Sequence, residues 1–512
     1  MTIGNITTSR NYITRQLSEM NDLLAEKTTQ LATGKVGTTF GDVGDRRLLD
    51  IQLTQKVGMI ETFQETITVA NLHLETMNLS LERLEDIRRD SKTALDSNDF
   101  VVQDDGQTQT QSRAELLLNE TLNILNTEIA GYYVFGGTDA IESPVASMDT
   151  ILDGAGGLDG LRTYMSEFAE ANLGATNTGR TTISALTTNY DGFGDPTDST
   201  FSIAEDGAHD FGFDIASVSS SLTNVTITGP AAADPDNVDI AFTGQPVLGE
   251  TITIELSLPP DHAETISIEL TASLTDEAEG TFVVGADLEE TAQNLRDAVA
   301  DEIEKQAMTT LRAVSDEWAS DEFFSTFAGE EPQRVDGPPY DTATAMVAGG
   351  STTVEWYTGR NTATDNPRTD KNAVVDTSLS VNYGVRANED PLKELVQSLA
   401  TFLAADFSGA TSTDEEYYNA LSKDMRTILQ PEGVDQSGIV DISTDIAIAH
   451  RTMSLTDDRH SQTKNSYEGT IAEIEGIDQE LVAAQILTLQ NNIEVSYRAS
   501  AIIFNLSLSD YL

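Results

Sequence analysis

The chain has 512 residues and a formal net charge of −56, from 29 Lys and Arg against 85 Asp and Glu. This acidity, with no compact basic cluster to offset it, excludes nucleic acid and anionic membrane surfaces as partners. Cysteine is absent, which excludes disulfides, thiolate metal sites and cysteine nucleophiles, so we expect packing alone to stabilise the fold.

Helical periodicity dominates the first 140 residues, which contain no proline. Apolar residues three and four apart predict a first helix that ends at the glycines of LATGKVGTTFGDVG, residues 31–44. The same three-four spacing of apolar residues begins again at 53 and continues to 84. It predicts a second long helix that is separated from the first by the glycine-rich segment. A third helix is predicted over 118–129, where Ile129 leads into GYYVFGGTDA.

The middle of the chain has a different pattern. Segments such as TNVTITG, NVDIAFTG, ETITIELSLPPD and ETISIELTAS alternate apolar and polar residues, which predicts strands, with LSLPPDHAET as a hairpin connection. TFVVGADLEETAQNLRDAVADEIEKQA then changes to helical spacing. Residues 141–370 carry 42 acidic against 8 basic residues, so we expect an acidic, solvated α+β domain here.

Helical spacing returns after Pro391 and continues almost to the last residue. A sustained heptad pattern runs over 439–484, with Thr456, His460 and Thr463 on the same stripe. We interpret His460 as a core or interface histidine, not as a metal ligand. The sequence begins without a basic segment followed by an apolar run, and no segment reaches the roughly 18 apolar residues of a membrane span. We therefore expect a soluble protein that is cytoplasmic or exported without a cleaved signal.

The predicted fold class is mainly α with an α+β insertion. Paired N- and C-terminal helices form a coiled-coil or helical-bundle stem, and the β-rich insertion is an outer domain. We expect an N-terminal assembly helix at 1–40, the two halves of the stem at 45–140 and 386–470, and a C-terminal assembly helix at 471–512. The insertion occupies 141–385, in one or two subdomains.

Amphipathic helices gain most of their stability by burying their apolar stripe, so each end of the chain needs a partner. Antiparallel packing would let Ile13, Leu17, Met20 and Leu24 of the first helix face Ile493, Tyr497, Phe504 and Leu508 of the last. The stripes are wider than one partner covers, which favours contacts with further copies. A helical bundle within one monomer has the same periodicity and stays an alternative. The predicted assembly interface consists of Ile3, Ile6, Ile13, Leu17, Met20, Leu24, Leu31, Ile486, Leu489, Ile493, Tyr497, Phe504 and Leu508.

Three segments resemble the bacterial flagellin superfamily of axial proteins. They are LATGK at 31–35, GYYVFGGTDA at 131–140 and ILTLQNNIEVSYRASAIIFNLSLSDYL at 486–512. The Tyr-x-Phe and glycine pattern of the second is more typical of the junction proteins between hook and filament than of filament flagellins. The resemblance covers about the first 140 and the last 130 residues, and the middle offers only an insertion that is not diagnostic.

The resemblance implies an extracellular structural subunit of the flagellum that is exported unfolded by the type III apparatus. It also implies assembly into a ring at the end of the hook, with the helical ends inside and the insertion outside. The implied partners are copies of itself, the axial hook-associated protein and flagellin, and an export chaperone. Filament flagellin is the alternative, and a secreted adhesin or an enzyme carried on the insertion is a third hypothesis.

No catalytic, cofactor or metal motif stands out in the sequence, so we expect a protein that is not an enzyme. The five histidines lie at no zinc-ligand spacing, and GAGGLDG at 154–160 lacks the Gly-Lys-Ser/Thr of a phosphate loop. DPDNVD at 234–239 and DGFGDPTD at 191–198 crowd carboxylates as calcium loops do, but both lack the glycine and distal glutamate of an EF-hand.

Overall fold

The computed structural model describes residues 3–37, 39–95, 100–138, 141–231, 235–275, 278–325, 331–361, 366–430 and 438–509, without the side chains of 3–11 and 503–509. The chain divides into two compact units. Unit 1 contains Met1–Asn71, Ala373–Val381 and His450–Leu512, and unit 2 contains Leu72–Asn372 and Asn382–Ala449. The fold is α plus β with long helices, and no helix of the described ranges is long and apolar enough to cross a membrane. The domain boundaries expected from the sequence stay predictions.

Unit 1 is built from four long helices, two of which also contribute to unit 2. They are α1 (Ile3–Thr33), α2 (Arg47–Leu95), α10 (Gly438–Glu475) and α11 (Gln479–Ser509). Within unit 1, the stripe of α2 buries Leu53, Ile60 and Ile67, as the three-four spacing predicts. The break predicted between the first two helices is present, and a 3₁₀ turn at Gly44–Arg46 leads directly into α2.

His460 lies in the core of unit 1, as the sequence predicted. Its ring stacks on Phe63, with 5.6 Å between centroids, and its Nε2–H donates to the Val375 carbonyl at 2.7 Å. Val375 lies on β14 (Asn372–Asp376), which pairs with β15 (Leu379–Asn382). A short hairpin remote in sequence therefore satisfies the buried imidazole.

The helices of unit 2 pack around buried aromatic side chains. They are α3 (Gln109–Leu125), α4 (Met148–Asp153), α5 (Leu161–Leu173), α6 (Leu288–Gln306), α7 (Arg312–Phe324), α8 (Asp390–Ala404) and α9 (Ser412–Ile428). A π-helical turn, Ala307–Leu311, joins α6 to α7. Tyr164 of α5 packs edge to face on Phe323 of α7, with centroids 5.4 Å apart. The helix predicted after Pro391 is α8, which carries this proline in its first turn.

The prediction that the third helix continues to Ile129 is wrong. The helix ends at Leu125, and Ile129 belongs to β1 (Glu128–Ile129), which pairs antiparallel with β2 (Tyr132–Tyr133). The amide of Asn126 makes two hydrogen bonds with the backbone of Val145, at 2.9 and 3.0 Å, and so turns the chain away from the helix axis. The turn of the hairpin has positive φ at Ala130 and Gly131, 53° and 87°.

The predicted strands form two sheets in unit 2. One joins β3 (Thr181–Ile183), β5 (Pro196–Glu205), β8 (Asn237–Phe242) and β7 (Val225–Thr228) in that order, with β4 (Thr187–Tyr190) also on β5. The other has the order β11 (Thr281–Val283), β10 (Thr265–Ser273), β9 (Thr251–Ser257) and β6 (Asp214–Ser220). Only the pair of β10 with β11 is parallel among these described pairs.

Alternation along the strands sends one face into a shared apolar core. On β9, Ile252, Ile254 and Leu256 are buried, whereas Glu255 is exposed. Leu295 and Val299 of α6 join the same core. The connection LSLPPDHAET joins β9 to β10 as an antiparallel hairpin in which Ser257 faces Thr265, which confirms the prediction for this segment.

A buried ion pair links the loop before α8 to a 3₁₀ turn in unit 2. Arg386 donates through Nε and Nη2 to the two carboxylate oxygens of Asp370, at 2.5 and 2.9 Å, and both side chains are 1% exposed. The hydrogen bond to the Asp370 carboxylate raises the pKa of Arg386, although burial opposes this. Removal of one partner leaves the other charge desolvated.

We predict that Asp370→Asn lowers the free energy of unfolding by about 3 kcal/mol, because Arg386 loses its charged partner inside the protein. Glu120→Gln is the control, since Glu120 pairs with Arg83 at 2.6 Å but both side chains are more than 40% exposed. We expect a loss of less than about 1 kcal/mol there. Denaturant unfolding of both variants measures the difference, and equal losses would contradict the assignment of Asp370 as a buried anchor.

Candidate assembly surface

The turns that follow α1 and precede α11 hold the two terminal helices together within unit 1. Gly34 has φ +71°, a conformation that favours glycine, and its carbonyl accepts the N–H of Ile477 at 3.1 Å. Val36 donates its N–H to the Glu475 carbonyl at 2.7 Å, and Lys35 forms an antiparallel bridge with Gly476. The end of α1 therefore lies beside the start of α11, which makes the helices antiparallel.

Side chains reinforce this junction. Gln30 is buried, and its amide donates to the Val36 carbonyl at 2.6 Å and accepts from Lys27 Nζ at 2.9 Å. Lys35 Nζ lies 2.5 Å from a carboxylate oxygen of Glu475. The Gly-Lys pair of LATGK therefore has a structural role in this junction. The glycine permits the turn after α1, and the lysine contacts the end of α10.

The bridge also sets the register of the helix pair. Because both helices rise about 1.5 Å per residue from this point, Leu24 lies near the level of Leu487 and Ile13 near the level of Arg498. Residues 13–24 therefore lie near the level of 487–498, whereas the sequence analysis expected them to face 493–508. Periodicity indicates which residues are apolar neighbours on a helix, and only the turn gives the register of the pair.

The predicted interface residues differ in burial. Ile13, Leu17, Met20, Leu24 and Leu31 of α1 are half-buried, as are Ile486 and Leu489 of α11, and Ile493 is buried. Tyr497 is 52% exposed and lies off this face. Ile3, Ile6, Phe504 and Leu508 lie outside the described side chains. Their role in assembly, like that of the other nine, stays a prediction.

Sequence reasoning missed one residue of the α11 face. Val482 is buried at 6% exposure, one turn before Ile486. The spacing 482, 486, 489, 493 follows the four-three alternation, so the signal was present in the sequence. The neighbouring Leu481 was assigned to the preceding heptad register instead, and it is 56% exposed.

A second apolar face of α11 is uncovered within the described structure. It consists of Leu481, Leu487, Val495 and Ile502, which lie on the side of the helix away from Val482 and Ile493 and are each more than half exposed. Single exposed apolar residues are common, but four that share one side of a helix over 22 residues favour a contact surface. We call these four residues the outer face of α11.

A buried carboxylate lies near the junction of the terminal helices. Asp50, in the first turn of α2, is buried, and neither of its carboxylate oxygens has a hydrogen-bond partner among the described atoms. Burial, with a smaller contribution from the Glu475 carboxylate, raises the pKa of Asp50, while Lys35 lowers it. The ionised form is therefore disfavoured in the folded protein.

We predict that Asp50→Asn raises the free energy of unfolding at neutral pH by about 1–3 kcal/mol, because a neutral amide replaces an unpaired charge. Asp22→Asn, at an exposed position of α1, should change it by less than about 0.5 kcal/mol. Denaturant unfolding at pH 7 makes the comparison. Destabilisation by Asp50→Asn would mean that the carboxylate has a partner.

A cleft of about 750 Å³ in unit 2 collects carboxylates from several elements. Its acidic lining comprises Asp261 and Glu264 of the β9–β10 connection, Glu317 and Asp321 of α7, Glu394 of α8 and Asp424 of α9; the basic lining residues are Lys393 and Lys423. Burial raises the pKa of Glu317 to about 7 and that of Asp424 to about 6, and the neighbouring carboxylates add to both shifts. The described residues hold no group of three or more His, Asp or Glu placed to bind a metal ion.

These shifts give the stability of unit 2 a pH dependence with a defined sign. The folded-state pKa values of Glu317 and Asp424 lie above the ordinary values of 4.5 and 3.8, so ionisation of these two groups opposes folding. The cost is fully present above about pH 7 and is lost as pH falls to about 3.8. Stability should therefore rise as the pH is lowered through this window.

We predict that the double variant Glu317→Gln, Asp424→Asn is more stable than the parent chain at pH 8, and that this advantage is less than half as large at pH 5. Thermal unfolding at the two pH values tests this. Glu75→Gln, at an exposed carboxylate of α2, controls for the overall loss of negative charge. If the double variant raised the unfolding temperature by the same amount at both pH values, these two carboxylates would not be the titrating groups.

Comparison with known proteins gives limited information. No family model matches the chain, and no curated protein matches it significantly. Among solved structures, the chain is similar to flagellar hook associated protein-3 from Legionella pneumophila, at 14% identity. The alignment covers 86% of this chain and 98% of that chain, with a TM-score of 0.23. A likeness this remote carries no argument about the present fold.

Proposed function

We propose that this protein is a structural subunit of the bacterial flagellum that assembles through its paired terminal helices. The observation that carries the proposal is the outer face of α11, where four apolar residues remain exposed although the opposite face of the helix packs in unit 1. Burial of such side chains is worth about 1.5–3 kcal/mol each, so further copies gain free energy by covering them. The resemblance of 31–35, 131–140 and 486–512 to axial proteins supports the flagellar assignment.

Within the flagellum, we favour the junction ring between hook and filament. The support is the resemblance of GYYVFGGTDA to the junction proteins, in a segment that begins as the turn and second strand of the β1–β2 hairpin. The proposed partners are copies of the chain, the neighbouring hook-associated protein and flagellin, and a chaperone during export. The proposed role is structural rather than enzymatic, and its proposed location is outside the cell.

Filament flagellin is the second candidate, favoured by the same terminal motifs. The two roles differ in stoichiometry, since a flagellin forms the filament whereas a junction protein is present only in traces at its base. Fluorescently labelled protein on intact cells distinguishes them. A spot at the end of the hook supports the junction, a continuous filament supports flagellin, and diffuse surface label supports an adhesin and contradicts both.

We predict that Val495→Asp abolishes assembly and leaves the monomer intact. Val495 is 64% exposed, so a carboxylate there is solvated in the monomer but is desolvated when a further copy covers the outer face of α11. Leu489→Asp should act differently, because Leu489 is half-buried and its replacement also weakens the packing of α11. Sedimentation measures association, and denaturant unfolding measures the stability of the monomer.

Leu116→Asp is the matched control for this prediction. Leu116 is 73% exposed on α3 of unit 2. Its replacement by Asp also puts a carboxylate in place of an exposed apolar side chain, but on a helix outside the proposed contact surface. We expect it to assemble normally. Normal assembly of Val495→Asp, or equal loss in both variants, would contradict the assignment of the outer face of α11 as a contact surface.

A further inference from the structure

One long segment of unit 2 contains no basic residue of the Lys or Arg type. Between Arg180 and Arg296, residues 181–295 include 21 Asp and Glu and no Lys or Arg. We call this segment the acidic stretch. It supplies all the strands from β3 to β11 and the beginning of α6. The strands of two sheets with a common apolar core therefore contain no Lys or Arg, and the histidines of the stretch are His209 and His262.

The exposed face of the second sheet places like charges close together. Glu255 of β9 faces Ser267 of β10, and Glu269 of β10 faces Thr253 of β9, so the two glutamates are diagonal neighbours on adjacent strands. Both are exposed. Such diagonal positions are separated by about 7–8 Å. Sheets usually gain stability from opposite charges at neighbouring positions, whereas here Glu255 is flanked by hydroxyls and accepts from Ser217 at 2.7 Å.

Hydrogen bonds inside the stretch keep some carboxylates ionised. The backbone N–H groups of Phe193 and Asp195 lower the pKa of Asp191. The hydroxyl and N–H of Thr223, and the N–H of Val247, lower the pKa of Glu250. These contacts orient the carboxylates but add no positive charge. Asp191 and Glu250 therefore stay ionised at neutral pH.

The cations of the protein reach the stretch from its two ends. Arg180, immediately before it, contacts Asp206 at 2.6 Å. Lys305, ten residues after it, lies 3.6 Å from Glu279. Lys393 and Lys423 also line the cleft that contains Asp261 and Glu264. Among the described residues these four cations are few against 21 carboxylates, so ions of the solvent are the remaining source of counter-charge.

We propose that the acidic stretch is a salt-dependent fold, in which mobile cations supply the counter-charge that its sequence omits. The screening length is about 10 Å at 0.1 M salt and about 3 Å at 1 M. Carboxylates at the spacing of Glu255 and Glu269 therefore repel one another at 0.1 M and are largely screened at 1 M. The two sheets reach full stability only at the higher ionic strength, and this inference does not depend on the flagellar role.

Hydrogen exchange of the whole protein in about 0.05 M and about 2 M KCl tests the proposal. Peptides from β8, β9 and β10 should gain at least about tenfold in protection at high salt, since repulsion opposes their folding only at low salt. Peptides from α2 are the internal reference, because this helix carries six basic and eight acidic residues. Sodium chloride should act as KCl does at equal ionic strength, whereas sucrose should have no such effect.

Glu269→Lys provides the matched variant test. A cation beside Glu255 should increase protection of β9 and β10 at low salt and have no effect at high salt. Glu65→Lys, at an exposed position of α2, changes the net charge of the chain equally but lies outside the stretch. Equal protection of β8–β10 at both salt concentrations would overturn the proposal. So would equal gains in the two variants, which would assign the effect to total charge.

Discussion

The antiparallel junction of α1 and α11 is the constraint on which the architecture of unit 1 depends. Backbone hydrogen bonds at Gly34, Val36 and Ile477 hold the two chain ends in one register, although more than 440 residues separate the helices. The turn fixes the register of the two helices, and packing within unit 1 covers the face of α11 that contains Val482 and Ile493. The four residues of the outer face remain exposed, and the proposed assembly follows from them.

The sequence predicted the elements that depend on local periodicity. The stripes of α1 and α2, the alternation of β8 to β10, and the burial of His460 were all correct because a residue's face follows from its spacing. The predictions that were wrong concern features that depend on contacts between residues distant in sequence. Ile129 was placed in a helix because the contact between Asn126 and Val145 is not visible in local spacing, and the register of α11 depends on a bridge between Lys35 and Gly476.

Tyr497 and Val482 illustrate the limit for the candidate site. Both fit a three-four alternation on α11, so periodicity permits either face, and only the packing against other helices shows that Val482 is buried and Tyr497 exposed. The predicted set nonetheless includes three residues of the packed face, Ile486, Leu489 and Ile493. The sequence therefore identified the helix that contacts α1, and the structure distinguished its packed face from its outer face.

Carboxylates have two distinct physical roles in this protein. Where they are buried, as at Asp50 and Glu317, desolvation raises their pKa and makes their ionisation costly. On the exposed faces of the sheets they remain charged, and repulsion between them depends on ionic strength. The net charge of −56 thus opposes folding at low salt and would also oppose the proposed assembly there, whereas burial of the apolar stripes would favour that assembly at every salt concentration.

Hydrogen exchange before and after assembly tests the central claim most directly. If the paired terminal helices are completed only by further copies, amides over 12–31 and 481–502 exchange readily in the monomer and become protected on assembly. Amides of α2 over 60–84 should be protected in both states, because the stripe of that helix is already buried. Terminal amides that are as protected in the monomer as those of α2 would contradict the account, since the ends would then form a complete bundle without partners.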